Sequence, residues 1–216
     1  MVMHRLTPAA AQVLVLAKQP VAGRVKTRLT PPLTPHQAAA IARAALEDTL
    51  DAVRRTEVDH RVLVLDGAFA APGFVMQEQA GGTLDERLAT AFDQAWAERP
   101  VPLLLVGMDT PQLDEVLLEK ALATLLSPGV DAVLGLAEDG GWWCLGLRRP
   151  QPHLIRGVVT SRDDTGAVQR RRLLEAGLSI VDLPVLRDVD TVGDLRQVAT
   201  LAPDGRFARV VQAVLA

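Results

Sequence analysis

Four short segments carry the side chains with chemistry to offer. The first is Ala17-Lys18-Gln19-Pro20-Val21-Ala22-Gly23-Arg24-Val25-Lys26-Thr27-Arg28. Gly23 permits close backbone approach, and Lys18, Arg24, Lys26 and Arg28 can neutralise a diphosphate or triphosphate. Arginine adds forked, two-point contact with phosphate oxygens, whereas lysine acts as a point charge. The segment is not a Walker loop, because Val25 stands directly before Lys26 where that loop has glycine, and no G-x-G-x-x-G fingerprint accompanies it. The plain alternative is a solvated basic loop. No Asp or Glu occurs before Glu47, so the early chain is cationic throughout.

The second segment is Gly107-Met108-Asp109-Thr110-Pro111. An aspartate just past a buried strand can hold Mg²⁺ or Mn²⁺, whose remaining ligands are phosphate oxygens and water. Against this stands a helix N-cap, for which Asp109 or Thr110 before a proline is well suited. The third is Glu138-Asp139-Gly140-Gly141-Trp142-Trp143. Its paired glycines suit a sharp turn or a close approach to a ligand, and equally an ordinary turn between antiparallel strands. In a chain with three tryptophans and no tyrosine, one of this pair is expected in the core and the other, Trp142, over a sugar or base. A further segment, Arg187-Asp188-Val189-Asp190-Thr191, matches the D-x-D-x-T of aspartate-nucleophile phosphatases only superficially, since that nucleophile sits on the first strand. A second metal ligand or a helix cap suits it better.

These segments need elements to hold them. Short apolar runs predict strands at residues 13–17, 61–65, 74–79, 102–107, 131–137, 142–147 and 178–183. Helices are predicted at 36–55, from a capping box at Thr83 to about 98, at 113–127, 164–176, from Thr191 to about 201, and at 206–215. Residues 1–11 are expected to be a flexible lead-in. Strands alternating with helices predict one α/β domain spanning residues 1–216, with a mostly parallel sheet covered on both faces. Ligands of such sheets bind outside the carboxyl ends of the strands. The basic loop, Asp109 and the Asp139 turn all fall at such ends, which predicts one site.

Composition narrows the classes. At 216 residues the chain is within the usual range of one domain, roughly 50–250 residues. A net charge of −3 gives no global reason to expect nucleic acid or an anionic membrane as partner. The single cysteine, Cys144, excludes an internal disulfide, and no apolar run approaches the length of a membrane span. A cytoplasmic location is expected.

Taken in order, AKQPVAGRVKTRL, LDERL (84–88), VGMDTPQL, EDGGWWCLGL and RDVDTVGDL resemble the bacterial GT-A-fold transferases described as radical-SAM/selenoprotein-domain-associated. The sequence is more distantly similar to 2-phospholactate and molybdenum-cofactor guanylyltransferases. The resemblance implies a Rossmann-like nucleotide-diphospho-sugar transferase fold, with Ala17, Lys18, Gly23, Arg24, Lys26, Thr27, Arg28 and Arg87 about the nucleotide. It places Asp109 and Asp190, or alternatively Asp188, on the metal, with Asp139, Gly140, Gly141 and Trp142 facing the transferred group. The family has Gly-Asp-Leu-Gly-Glu-Arg where Gly82-Thr83-Leu84-Asp85-Glu86-Arg87 stands here, paired tyrosines at Trp142 and Trp143, and a Trp-Ser-Thr segment where 159–164 lies.

The expected reaction is metal-dependent glycosyl transfer from a nucleotide-diphosphate sugar to a small acceptor. The basic loop, Lys26 included, would stabilise the departing diphosphate, and Asp139 would act as general base. Nucleotidyl transfer from an NTP with release of pyrophosphate needs the same groups and is the alternative. A non-catalytic nucleotide sensor is the third reading.

Overall fold

The computed structural model describes residues 9–216. Of the expected flexible lead-in at 1–11, the first eight residues lie outside the described residues. The last three are corrected to strand, because β1 spans Ala9–Lys18. Gln12 hides this extension in the sequence. It is a fully buried polar residue whose side-chain amide donates to the carbonyls of Ala95 at 3.1 Å and Arg99 at 2.8 Å.

The remaining elements are α1 (Pro35–Arg55), β2 (Val58–Asp66), β3 (Val75–Glu78), α2 (Leu84–Glu98), β4 (Leu103–Gly107) and α3 (Glu115–Leu126). They continue with β5 (Ala132–Ala137), β6 (Trp142–Leu147), α4 (Thr165–Glu175), β7 (Ile180–Leu186), α5 (Val192–Leu201) and α6 (Arg206–Leu215). One seven-stranded sheet runs β3-β2-β1-β4-β6-β5-β7. All pairs are parallel except those of β6, which runs antiparallel to both β4 and β5.

Strands buried on both faces read as continuous apolar runs. Val13 and Val15 face one way, packing with Leu46 and Leu50 of α1 and Leu118 and Leu122 of α3. Leu14 faces the other way, with Leu88 and Phe92 of α2 and Leu173 of α4. A third cluster lies on the outer side of α1, where Ile41 meets Leu195 and Val198 of α5 and Phe207 and Val211 of α6. It also takes in Leu29 and Val189, both fully buried, so one core anchors the basic loop and the Asp188–Asp190 segment together.

Helix starts follow the capping rules. Thr34 and Gln37 form a reciprocal capping box at α1, Thr83 and Glu86 at α2, and Thr191 and Asp194 at α5. At α3 the cap is Asp114, whose carboxylate accepts from the Leu117 amide at 2.8 Å. Neither Asp109 nor Asp190 is therefore spent as a helix cap. No described helix is long and apolar enough to cross a membrane.

Candidate functional site

Chain order reverses direction across the sheet at β1: β2 and β3 lie on one side of it and β4 on the other. Open α/β sheets bind ligands at such a switch point, beyond the strand ends. Here Lys18 ends β1 and Asp109 follows β4, and the two ends touch through the Lys18 amide and Met108 Sδ at 3.3 Å. An open cleft of about 1130 Å³ lies above this junction.

The structure brings most of the expected site residues to that cleft. Ala17, Lys18, Arg24, Lys26, Thr27, Arg28, Arg87, Asp109, Asp139, Gly141, Trp142 and Asp190 all line it. Gly23 and Gly140 do not. Gly23 makes a left-handed turn (φ 78°) with open space around its α-carbon, shaping the loop from outside the wall. Gly140 (φ 88°) lies beneath the hairpin tip, where the Asp163 carbonyl leaves no room for a β-carbon. Trp143 is the tryptophan of the core, 2% exposed, and its indole donates to the Pro184 carbonyl at 2.9 Å.

Lys26 occupies the centre. Val25 and Leu29 are buried on either side of it in separate clusters, so its side chain is turned inward and is only 8% exposed. Nζ lies 2.7 Å from Asp109 Oδ1 and 3.4 Å from Asp190 Oδ1, and donates to the Val189 carbonyl. Burial alone would lower the pKa of this ammonium, but Asp109, with Asp190 and Asp188 adding to it, holds the value above the ordinary 10.5. Arg28 pairs with the other Asp190 oxygen at 2.8 Å. The Val189 amide donates to the Asp109 carbonyl at 3.0 Å, and the Gln112 amide donates to the Arg187 carbonyl at 2.7 Å. These bonds stitch the end of β4 to the segment after β7.

Asp188 carries a different signature. Burial, reinforced by the Asp139, Asp109 and Asp190 carboxylates and opposed by Lys26, pushes its pKa from 3.8 up to about 7. Its Oδ1 is buried without a hydrogen-bond partner, as is the hydroxyl of neighbouring Thr110, itself 2% exposed. The raised pKa has a consequence for stability. A carboxyl that holds its proton more tightly when folded contributes stability below its unfolded value, and loses it as pH rises through the folded value. The metal-free protein is thus expected to be less stable at pH 8 than at pH 5. Asp188→Asn should remove on the order of 3 kcal/mol of that difference, as measured by urea denaturation at the two pH values. An unchanged pH dependence in the variant would contradict this.

Of the remaining cleft residues Gln79 carried no signal in the sequence, whereas Glu138, Arg187 and 160–163 lie in segments already marked there. Gln79 follows the short edge strand β3 and donates to the Ala17 carbonyl at 2.6 Å, beside Arg87, which reaches Asp66 at 3.4 Å. Arg187 pairs with Glu138 and, at 3.1 Å, with Asp194, tying the β5–β6 hairpin to the start of α5. Thr160, Ser161, Arg162 and Asp163 close the far wall, with Ser161 in the left-handed region at φ 61°.

Asp109, Asp188 and Asp190 offer hard oxygen donors of the kind Mg²⁺ and Mn²⁺ prefer, and the orphaned Asp188 oxygen is a donor awaiting a partner. Among the described residues no group of three or more His, Cys, Asp or Glu is gathered as a ready-made metal cage. The set fits a cation that takes part of its shell from a bound phosphate and water.

A sheet of this order with a cationic loop after its first strand defines a Rossmann-like, GT-A-type α/β fold, and the comparisons agree. The chain matches, with 24% identity and a TM-score of 0.81, a protein from Desulfovibrio desulfuricans G20 assigned provisionally as a nucleotide-diphospho-sugar transferase, covering 95% of this chain and 98% of that one. It matches Rv0371c from Mycobacterium tuberculosis H37Rv, solved in complex with manganese, at 23% identity and a TM-score of 0.55 over 89% and 98% of the two chains. It also matches 2-C-methyl-D-erythritol 4-phosphate cytidylyltransferase from Thermus thermophilus, at 18% identity and a TM-score of 0.53 over 89% and 98%.

Residues 37–162 match the family described as "Uncharacterized protein conserved in bacteria (DUF2064)", and the chain belongs to that family. A search of curated proteins gave no match.

Proposed function

We propose that this protein is a metal-dependent transferase that binds a nucleotide-activated donor in the cleft and passes part of it to a small acceptor. The observation that carries the reading is the meeting, in one cleft at the switch point, of a cationic loop with a cluster of carboxylates. Lys18 and Arg24 line the cleft with no ion pair among the described residues, which leaves them available to donor phosphates. Arg87 stands near the nucleotide. Asp109 with Asp190, or with Asp188, would hold Mg²⁺ or Mn²⁺. When bound, that cation supplies charge neutralisation for a departing diphosphate.

Glycosyl transfer is the first reading. The basic loop has one glycine, unlike the glycine-rich first loops of many nucleotidyltransferases of this fold. The cleft exceeds the roughly 300–1,000 Å³ of a usual small-ligand pocket, giving room for donor and acceptor together. Asp139 lies on the hairpin wall, where its Oδ1 accepts from the Gly141 amide at 2.8 Å. This fixes the side chain and leaves the other oxygen to take the proton of an acceptor hydroxyl. The acceptor oxygen then bonds to the sugar carbon as the bond from that carbon to the diphosphate breaks, and Lys26 and Arg28 face the charge that leaves.

Nucleotidyl transfer is the second reading, favoured by the shared architecture with a cytidylyltransferase. Products separate the two. Incubation with nucleotide-sugars or with NTPs, small hydroxyl or phosphate acceptors and Mg²⁺ or Mn²⁺ should release nucleoside diphosphate if a sugar is transferred. Release of pyrophosphate would transfer the assignment to the second reading. Binding without release of either would make the chain a nucleotide sensor and overturn both.

A further inference from the structure

The position between Asp109 and Asp190, where a divalent cation would sit, is filled by the chain itself. Lys26 Nζ stands 2.7 Å from one carboxylate and 3.4 Å from the other, and the Val189 carbonyl accepts a third contact from it. An ammonium and a divalent ion repel each other and cannot share that space. We infer that Lys26 is the resident cation of this carboxylate cluster in the ligand-free protein, and that it is displaced onto the donor phosphates when a divalent ion enters. This inference rests on the transferase reading above.

Two observations argue that Lys26 can yield this place to a divalent ion. The buried anchors Val25 and Leu29 fix its backbone, so a change of position falls to the four-carbon stem. Phosphates gathered by Lys18 and Arg24 would offer the ammonium another partner in the same cleft. Meanwhile the buried Asp188 Oδ1 and Thr110 hydroxyl keep no partner, so the ammonium satisfies the cluster only in part. A larger charge with more coordination positions would satisfy it better.

An ammonium that acts as a placeholder makes a distinctive forecast, because its removal should strengthen metal binding while weakening phosphate binding. The test uses the full-length protein, Mn²⁺ alone, and Mn²⁺ with inorganic pyrophosphate, with affinities taken from calorimetry and from the electron paramagnetic resonance of free Mn²⁺. Lys26→Met is expected to bind Mn²⁺ alone at least ten-fold more tightly than wild type, and Mn²⁺-pyrophosphate at least ten-fold more weakly. Lys26→Arg, which keeps a cation, should hold wild-type Mn²⁺ affinity. A Lys26→Met protein that binds Mn²⁺ no more tightly than wild type overturns the inference.

Should Lys26→Met fail to fold, reductive methylation of Lys26 in the wild-type protein, followed by mass spectrometry, gives the same answer. Labelling is expected to be several-fold faster with Mn²⁺ than without, and slow again once pyrophosphate is added; indifference to Mn²⁺ overturns the inference. If the wild type binds Mn²⁺-pyrophosphate but Mn²⁺ leaves Lys26 unchanged, the displacement alone is wrong. If neither ligand binds, the transferase reading falls with it.

Discussion

Asp109→Ala is expected to lower metal-dependent turnover by about three orders of magnitude, the upper end of what removal of one transition-state charge stabiliser costs. Asp109 sits beyond β4, its carboxylate 44% exposed to the cleft, with Lys26 as its one ion-pair partner among the described residues. It caps no helix, since Asp114 performs that task for α3, and its backbone carbonyl keeps the Val189 bond in any variant. The loss should appear chiefly in kcat, accompanied by a fall in melting temperature, because the buried Lys26 ammonium loses its nearest counter-charge and keeps only Asp190. A variant that keeps its activity would remove Asp109 from the metal site. An equal loss with and without the metal would make Asp109 a counter-charge for Lys26 alone.

The second large effect belongs to Gly140. A β-carbon there would lie 1.8 Å from the Asp163 carbonyl oxygen and 2.4 Å from its carbon, and the residue holds φ 88°. Two penalties then act together, a left-handed conformation costing about 1–2 kcal/mol and an overpacked contact costing about 1–3 kcal/mol. The clash is with backbone, so the β5–β6 hairpin or the segment after Thr160 must give way. The Gly166 amide bonds the Gly140 carbonyl at 2.8 Å, and that bond would be strained as well. Gly140→Ala is expected to lose about 2–5 kcal/mol of stability and about 100-fold of activity, because a displacement near 1 Å at Asp139 is enough for the latter. Gly129→Ala is the control: it shares the left-handed backbone (φ 78°) but meets nothing within 4 Å, so only the conformational cost should remain. Equal losses in the two variants would refute the close packing of the hairpin.

Much of the fold was legible because its strands are short aliphatic runs separated by capped helices. The box at Thr83 and the caps from Thr191 fall where the sequence places them. Strand order was not legible, because the reversal at β1 depends on which strands pair and not on any local pattern. Nor did an apolar run reveal that β6 runs antiparallel inside a parallel sheet, although the Asp139-Gly140-Gly141 turn joining β5 to β6 is of the hairpin kind. β7 runs to Leu186 and not to 183, since a proline at 184 reads as a stop. Pro184 has no amide to donate, yet its carbonyl is used by Trp143.

Within the site, the cationic loop and the three carboxylate segments were visible as residue types at strand ends. Their mutual arrangement was not. Sequence favoured Asp190 over Asp188, and the structure gives both a place: Asp190 is paired with Lys26 and Arg28, while Asp188 keeps one buried oxygen without a partner. Nothing in the spacing discloses that Lys26 is turned inward, because its orientation comes from two separate hydrophobic clusters gripping Val25 and Leu29. The glycines also divide by role only in three dimensions, with Gly141 on the cleft and Gly140 beneath it.

A nucleotide-activated donor should bind this cleft together with a divalent cation. Thermal unfolding of wild type and Asp109→Ala, in the presence of nucleoside diphosphates, their sugar conjugates and NTPs, with and without Mg²⁺ or Mn²⁺, tests it most directly. A ligand at 100 times its dissociation constant adds about 2.7 kcal/mol of stability, which for a chain of this size raises Tm by roughly 5–10 °C. Wild type should show such a rise with at least one nucleotide, dependent on the metal and lost in Asp109→Ala. No shift with any nucleotide, or a shift indifferent to both metal and Asp109, would contradict it.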